Sequence, residues 1–182
     1  MDLEWSGEGP VFVIQKHDAS SLHYDFRIEV EGVLKSWAVP KGPSTDPEDR
    51  RLALPTEDHP LDYADFEGVI PRDEYGGGTV MVWDRGNYRN NGEEDDNGNR
   101  PAMARQIRDG HVAIWLEGEK ISGGYALIRT GKGKDPGWLL IKTKDDRADA
   151  RRNPVSTQGK SVKSGLTMDG IRERHSTGGD HG

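Results

Sequence analysis

The stretch HYDFRIEVEGVLKSWAV, residues 23–39, decides how this chain folds. Polar and apolar residues alternate up to Val30, and alternation with a period of two is typical of a strand that buries one face. Glu31 and Gly32 then form a two-residue turn, because Gly tolerates the positive φ of tight hairpin turns. The sequence therefore predicts a β-hairpin in which Val30 lies opposite Val33.

The two faces of this hairpin differ in character. The apolar face consists of Tyr24, Phe26, Ile28, Val30, Val33, Trp37 and Val39. His23, Asp25 and Arg27 fall on the other face, spaced by ~6.5–7 Å because each residue of a strand advances ~3.3 Å. The hairpin register places Asp25 opposite Ala38 and Arg27 opposite Ser36, which are small neighbours that leave space for a ligand. One face is predicted to be core, and the other is a candidate site.

Similar short segments, rich in β-branched and aromatic residues, recur along a chain that contains 24 Gly and 10 Pro. Further strands are predicted at residues 11–17, 51–55, 78–84, 111–118, 121–130 and 137–143. One helix is predicted at about 101–109, with Pro101 in its first turn and Gly110 at its exit. The expected fold is mainly β: a closed or nearly closed eight-stranded β-barrel flanked by short helices.

The length of 182 residues predicts one domain with extensions. We expect an N-terminal arm at residues 1–10 and the barrel domain at 11–146. Residues 147–182 contain few large apolar side chains, so they bury too little to offset their chain entropy. This last segment is predicted to be a flexible tail with one short helix near 167–174.

Composition excludes several classes of function. The chain has no Cys, which rules out disulfides and thiolate metal sites. Its net charge of −7 argues against a protein that coats nucleic acid generally, although a local basic groove remains compatible with it. No apolar run approaches the ~20 residues that span a bilayer. We expect a cytoplasmic protein with no membrane partner.

Two further histidines extend the polar face into a candidate metal site. His17 precedes His23 by six residues, across a segment that can fold back, and His59 stands directly before Pro60. Histidine and carboxylate ligands suit Mn²⁺, Zn²⁺, Co²⁺ or Fe²⁺. A guanidinium beside such a metal indicates a phosphate ligand, because its planar fork matches phosphate oxygens. The competing interpretations are scattered surface residues and a simple salt bridge from Arg27 to a neighbouring acid.

Two long segments carry a family resemblance: QKHDASSLHYDFRIEVEGVLKSWAVPKGPS at 15–44 and EDHPLDYADFEGVIPRDEYGGGTVMVWDRG at 57–86. Together they resemble the 3′-phosphoesterase domain of bacterial DNA ligase D and its stand-alone bacterial and archaeal homologues. The likeness runs from about Val11 to Lys144. It implies an eight-stranded barrel and an enzyme that trims 3′ ends with Mn²⁺, with Co²⁺, Zn²⁺ or another divalent transition metal as substitutes.

The resemblance also implies a role for individual residues. The metal ligands fall on His17, Asp25 and His59. The catalytic and phosphate-binding groups fall on His23, Arg27, Tyr63, Lys41 and Arg51. Polar residues around the site fall on Gln15 and Glu57.

The implied reaction removes a 3′-phosphate, and a 3′-terminal ribonucleoside, from primer-template DNA to leave a 3′-OH for repair and ligation. The implied partners are DNA or RNA-tipped DNA 3′ ends and an end-joining ligase, a polymerase or Ku proteins, with the chain itself a monomer. Two alternatives stay open on the residues alone. One is a noncatalytic module that binds DNA ends, and the other is a two-histidine, one-carboxylate Fe(II) oxygenase.

Overall fold

The computed structural model describes residues 7, 9–131 and 136–179, with side chains described up to residue 175. The strands within these ranges are β1 Val11–Asp18, β2 Leu22–Val30, β3 Val33–Val39, β4 Arg51–Pro60, β5 Gly68–Ile70, β6 Gly78–Asn90, β7 His111–Gly118, β8 Ser122–Arg129 and β9 Trp138–Lys142. The helices are α1 Met103–Asp109, α2 Pro154–Thr157 and α3 Met168–Gly179, and a 3₁₀ turn spans Leu61–Asp65. Of the predicted N-terminal arm, residues 1–6 and 8 lie outside the described residues.

Eight of these strands close into an antiparallel barrel. The strand order is β1-β2-β3-β4-β9-β8-β7-β6, and β6 pairs back with β1. The short strand β5 adds to the free edge of β6 at one end. The predicted fold class is therefore confirmed: the chain is mainly β, with a closed eight-stranded barrel and a few short helices.

The hairpin that opened the sequence analysis has the predicted register. Val30 pairs with Val33, Arg27 with Ser36, and Asp25 with Ala38. Glu31 and Gly32, between the two strands, have φ values of 52° and 81°, which is the left-handed conformation that a two-residue hairpin turn requires. The turn residues thus fix which side chains share a face.

The apolar faces of the strands fill the barrel interior. This core contains buried aromatic and aliphatic side chains contributed by all eight barrel strands, together with Ile171 from α3. Because neighbouring residues of a strand point to opposite faces, His23, Asp25 and Arg27 project to the outside of the barrel wall. A smaller apolar cluster on that outer side includes Val13, Leu34 and Ala64 of the 3₁₀ turn.

An irregularity in β4 also affects the outer face. Ser36 pairs with Thr56, whereas Leu34 pairs with His59, so β4 has one residue more than β3 over this interval. Such an extra residue reverses the alternation of side chains beyond it. Regular pairing would have placed Asp58 on the face of Leu34, and the bulge puts His59 there instead.

Helix α1 agrees with its prediction except at its start. It begins at Met103 after an N-cap at Ala102, so Pro101 lies before the first turn rather than within it. Gly110 ends the helix in the left-handed conformation, with φ of 81°, and its N–H is bonded to the carbonyl of Ile107.

The C-terminal segment lies against the barrel. Trp83 donates its indole N–H to the carbonyl of Gln158 at 2.7 Å, and the N–H of Val162 is bonded to the carbonyl of Val82 at 3.0 Å. Ile171 of α3 is fully buried. This packing differs from the flexible tail that the composition predicted, because much of the attachment uses backbone groups, which composition does not report. Within the described ranges, no helix is long and apolar enough to cross a membrane.

Candidate metal centre

Three potential metal ligands converge on the outer face of β1 and β2. His17 pairs with His23 across these strands, and Asp25 follows two residues later. Asp25 lies 3.4 Å from His17 Nδ1 through Oδ2 and 3.1 Å from His23 Nε2 through Oδ1. One ligand atom from each of the three residues falls within 4.8 Å of the other two. The pairing of β1 with β2 is enough to bring these three residues together.

Backbone carbonyls orient both imidazoles. His17 Nε2 lies 3.2 Å from the carbonyl oxygen of Gly77, and His23 Nδ1 lies 3.2 Å from that of Ser21. The other nitrogen of each ring faces Asp25, to which it donates a hydrogen bond when protonated and where it offers a lone pair to a metal when the carbonyl takes the proton. Metal-binding histidines are commonly held in this way.

Arg27 lies beside Asp25 and is nearly fully buried. Its Nη2 is 3.3 Å from Asp25 Oδ2, its Nε donates to Gln15 Oε1 at 2.8 Å, and its Nη1 donates to Ser36 Oγ at 2.9 Å. The same Nη1 is 3.0 Å from His59 Nδ1. A guanidinium has five N–H groups, and the four contacts above are those of Arg27 with the described residues. Donor capacity therefore remains for a phosphate oxygen.

Gln15 and Tyr63 hold the guanidinium in place. Gln15 is fully buried, and its amide donates to the carbonyls of Tyr63 and Phe66 at 2.9 and 3.1 Å while its oxygen accepts from Arg27. The Arg27 guanidinium lies over the Tyr63 ring, 5.1 Å from its centroid. The Tyr63 ring also stacks on Phe66 and contacts His59. The 3₁₀ turn is thereby attached to the strand that carries Arg27.

The charges of this cluster are interdependent. Burial alone raises the pKa of Asp25, but hydrogen bonds from His17 and His23 and the charge of Arg27 outweigh it and hold that pKa well below its usual range. The hydrogen bond to Asp25 raises the pKa of His23. Burial, assisted by the charge of Arg27, lowers the pKa of His59. Asp25 is therefore ionised at neutral pH, and His59 is neutral there.

The donor set fits a divalent transition metal. Two ligands of one such ion, each at ~2.1 Å, are at most ~4.2 Å apart, so the three atoms within 4.8 Å need only a small inward shift. Imidazole and carboxylate donors without thiolate suit Mn²⁺, Co²⁺ and Zn²⁺. An ion there would replace the hydrogen bonds that now join the histidines to Asp25.

A family model described as the DNA Ligase D 3′-phosphoesterase domain matches residues 15–129. The chain belongs to this family. The multifunctional non-homologous end joining protein LigD of Pseudomonas aeruginosa is 54% identical over 138 residues, which are 75% of this chain and 15% of that protein. The corresponding DNA repair protein LigD of Mycobacterium tuberculosis is 46% identical over 142 residues, which are 78% of this chain and 17% of that protein. The chain thus spans less than a fifth of the length of these relatives, and the resemblance read from the sequence is confirmed.

The resemblance to the 3′-phosphoesterase family assigned His59 as the third metal ligand, and the structure places it next to Arg27 rather than within the tightest group. Its Nδ1 lies 3.0 Å from the carbonyl of Glu57 and 3.0 Å from Arg27 Nη1. In the tautomer whose Nδ1 donates to Glu57 the lone pair is on Nε2, and in the other tautomer Nδ1 accepts from Arg27. The three residues whose ligand atoms lie closest together are His17, His23 and Asp25, so His23 takes the place of His59 in this group.

The other family positions lie further from the cluster. Lys41 is exposed, and Arg51 has its Nη2 3.6 Å from Asp49 Oδ2. Among the described residues, neither cation has a hydrogen bond or ion pair with Asp25 or Arg27. Glu57 is exposed on β4, beside the bulge. Their roles remain predictions.

Sequence reasoning missed two contributors from the turn between β5 and β6. Gly77 supplies the carbonyl that orients His17, and Tyr75 has a hydroxyl hydrogen-bonded to Glu57. The glycine-rich stretch EYGGGT, residues 74–79, is typical of a turn, and no pattern in it indicates these two contacts. By contrast, Ser36 could be found from the hairpin register, which placed it opposite Arg27.

Proposed function

We propose that the chain is a manganese-dependent 3′-phosphoesterase that acts on DNA ends. It removes a 3′-phosphate, and a 3′-terminal ribonucleoside, from primer-template ends and leaves a 3′-OH for repair and ligation. The observation that carries this proposal is the convergence of His17, His23 and Asp25 on the outer face of the barrel with the buried guanidinium of Arg27 beside them. Family membership supports the same reaction class.

The proposed metal ligands are His17, Asp25 and His59, with His23 directly adjacent. A divalent metal held there supplies a Lewis acid for a phosphoryl oxygen and lowers the pKa of a bound water toward ~7. Asp25 contributes the negative charge that attracts the cation, and its low pKa keeps it ionised. The carbonyl of Gly77 holds the ring of His17 in the orientation that presents Nδ1.

His23 and Arg27 are the proposed catalytic groups. His23 lies beside the metal ligands, 3.1 Å from Asp25, and its proposed role is to donate a proton to the departing 3′-oxygen of the sugar. Arg27 is positioned by Gln15 and Ser36 to stabilise charge that grows on the phosphoryl oxygens. The Tyr63 ring packs against the Arg27 guanidinium and helps to position it. Two further cations, Lys41 and Arg51, are proposed to bind the phosphates of the DNA strand.

The relatives bear on the pathway. Their names describe multifunctional proteins of non-homologous end joining. We therefore place this chain among the end-processing steps of that repair pathway, with a DNA ligase, a polymerase or Ku proteins as its proposed partners. The ligase step needs a free 3′-OH, which is the product of the proposed reaction.

The test uses a 5′-labelled primer-template that ends in a 3′-phosphate or in a single 3′-ribonucleotide. The wild type with Mn²⁺ is expected to shorten or dephosphorylate both primers, whereas His17→Ala is expected to be inactive. His111→Ala is the matched control, because His111 is exposed on β7, away from the cluster, and it should keep wild-type activity. Products are resolved on denaturing gels, and the freed 3′-OH is detected by extension with a polymerase.

Three outcomes separate the proposal from its rivals. Turnover that EDTA abolishes and Mn²⁺ restores supports it. Tight binding of the DNA end without turnover, indifferent to EDTA, would replace it with a noncatalytic end-binding module. A requirement for Fe²⁺ and 2-oxoglutarate, with no action on 3′-phosphate ends, would assign an oxygenase instead.

A further inference from the structure

The turn between β5 and β6 forms a compact unit attached to the site. The N–H of Glu74 is bonded to the carbonyl of Pro71 and the N–H of Gly77 to that of Glu74, both at 3.0 Å. Gly77 has no room for a side chain, because a Cβ there would lie 2.5 Å from the Pro71 oxygen. The Gly77 carbonyl in turn contacts the ring of His17. This turn therefore has a defined position relative to the metal ligands.

Tyr75 extends from this turn across the outer face of the barrel. Its hydroxyl donates a hydrogen bond to Glu57 of β4, while Gly77, two residues further on, contacts His17 of β1. β1 and β4 are separated by β2 and β3, and adjacent strands are ~4.8 Å apart. The segment from Gly77 to the Tyr75 hydroxyl thus has its ends near β1 and β4, the strands on either side of β2 and β3. The hydrogen bond to Glu57 raises the pKa of Tyr75, and the charges of Asp25 and Arg27 act on it as well.

The ring of Tyr75 is 85% exposed, although its backbone belongs to the hydrogen-bonded turn. A tyrosine that stabilises the fold buries its ring, as Tyr63 does beneath Arg27. Tyr75 instead presents its ring to solvent, near enough to Asp25 and Arg27 for their charges to act on its hydroxyl. A tyrosine side chain has only two χ angles, so it loses little conformational entropy when a second ring packs on it.

We propose that Tyr75 is the stacking platform for the base of the terminal nucleotide at the nucleic-acid end. This inference rests on the proposed function, since it assumes that the 3′-phosphate lies at the cluster formed by His17, His23, Asp25 and Arg27. Stacking on an aromatic side chain is tolerant of sequence, because every base has a π-face. The platform would allow the site to prefer a nucleotide end over a simple phosphate ester without reading the sequence.

The test measures stacking and turnover separately. The first probe is a primer-template whose 3′-phosphorylated terminal nucleotide is 2-aminopurine, whose fluorescence is quenched by stacking. The wild type and Tyr75→Phe are expected to quench it, and Tyr75→Ala is not. The second measurement compares kcat/KM for a normal terminal nucleotide with that for an abasic one. The wild type is expected to prefer the base by roughly tenfold, and Tyr75→Ala is expected to lose that preference.

Val69→Ala is the matched control, because Val69 is an exposed apolar residue on the neighbouring strand β5. It should behave as wild type in both measurements. Quenching or base preference that survives in Tyr75→Ala would overturn the inference, as would a Tyr75→Phe variant as defective as Tyr75→Ala, because the hydroxyl and not the ring would then matter. If the wild type releases no phosphate from any end, the proposed function fails. The quenching measurement would still decide whether Tyr75 stacks on a bound end.

Discussion

Two carboxylates buried in the barrel wall, Asp25 on β2 and Asp84 on β6, have very different surroundings. Their exposed fractions are 5% and 0%, so burial does not distinguish them. Asp25 contacts three side chains, two imidazoles and a guanidinium. Asp84 accepts hydrogen bonds from the backbone N–H groups of Arg85, Glu119, Lys120 and Ile121, at 2.9–3.1 Å.

The difference shows how a candidate site can be separated from a structural carboxylate. The backbone N–H groups of the β7–β8 turn are fixed in place, so they hold Asp84 in one position. Burial raises the pKa of Asp84 despite these hydrogen bonds. The partners of Asp25 are titratable or charged side chains, and they hold its pKa low. A buried carboxylate surrounded by such groups can bind a cation, whereas one surrounded by backbone organises a turn.

The largest expected effect is on activity at Asp25. Asp25→Asn keeps the size of the side chain and an acceptor for the histidines but removes the charge that attracts a metal. Because metal-based charge stabilisation amounts to several kcal/mol, we expect 3′-phosphate release to fall by roughly a thousandfold or more. Binding of Mn²⁺, measured by isothermal titration calorimetry, should weaken in parallel.

Circular dichroism provides the control for Asp25→Asn, since its β-sheet spectrum should match that of the wild type. Wild-type affinity for Mn²⁺ in this variant would show that Asp25 is not a ligand and would remove the contrast with Asp84.

The next effect is on stability at Asp84. Asp84→Ala leaves several buried backbone N–H groups without an acceptor, and each such group costs ~1–3 kcal/mol. We expect the free energy of unfolding, measured by urea denaturation, to fall by roughly 3 kcal/mol. The turnover of the molecules that remain folded should equal that of the wild type. A loss of turnover without a loss of stability would mean that Asp84 belongs to the reaction after all.

The sequence was sufficient for the part of the site that depends on a regular hairpin. The turn at Glu31-Gly32 sets the register, and alternation then places Asp25 and Arg27 on one face with Ser36 opposite. The position of His59 could not be derived from alternation, because the extra residue in β4 reverses it. The sequence named His59 as a candidate from its place before Pro60, and the family resemblance made it a metal ligand, but neither gave its position on the face.

Two other features depend on contacts between distant segments. Tyr75 reaches Glu57 from a turn whose path follows from its contact with His17, and no local pattern indicates this. The C-terminal segment attaches to the barrel largely through backbone carbonyls such as that of Gln158, so its apolar content underestimated its packing. Periodicity predicts strands and faces, but it does not report bulges, loop paths or backbone partners.

The smallest expected effect is on how the stability of the protein without metal depends on pH. It tests whether protonation of His23, a partner of Asp25, is coupled to folding. The hydrogen bond to Asp25 raises the pKa of His23 above 6.5 in the folded protein. Protonation of His23 therefore stabilises the fold, fully so below the unfolded pKa of ~6.5, and this stabilisation is lost as the pH rises through the folded pKa. In EDTA, the difference in melting temperature between wild type and His23→Gln should shrink from pH 5.5 to pH 8.5.

His59 supplies the opposite sign in the same experiment. Burial and Arg27 lower its pKa in the folded protein, so protonation favours the unfolded chain. The stability that the neutral His59 ring contributes is fully present above the unfolded pKa of ~6.5. It is lost as the pH falls through that value and then through the folded pKa. Relative to His59→Gln, the wild type should therefore lose stability toward pH 5.5. Among its neighbouring charges, His23 responds mainly to the Asp25 carboxylate, whereas His59 responds mainly to the Arg27 guanidinium. If the melting-temperature differences of His23→Gln and His59→Gln changed with pH in the same direction, this assignment would be wrong.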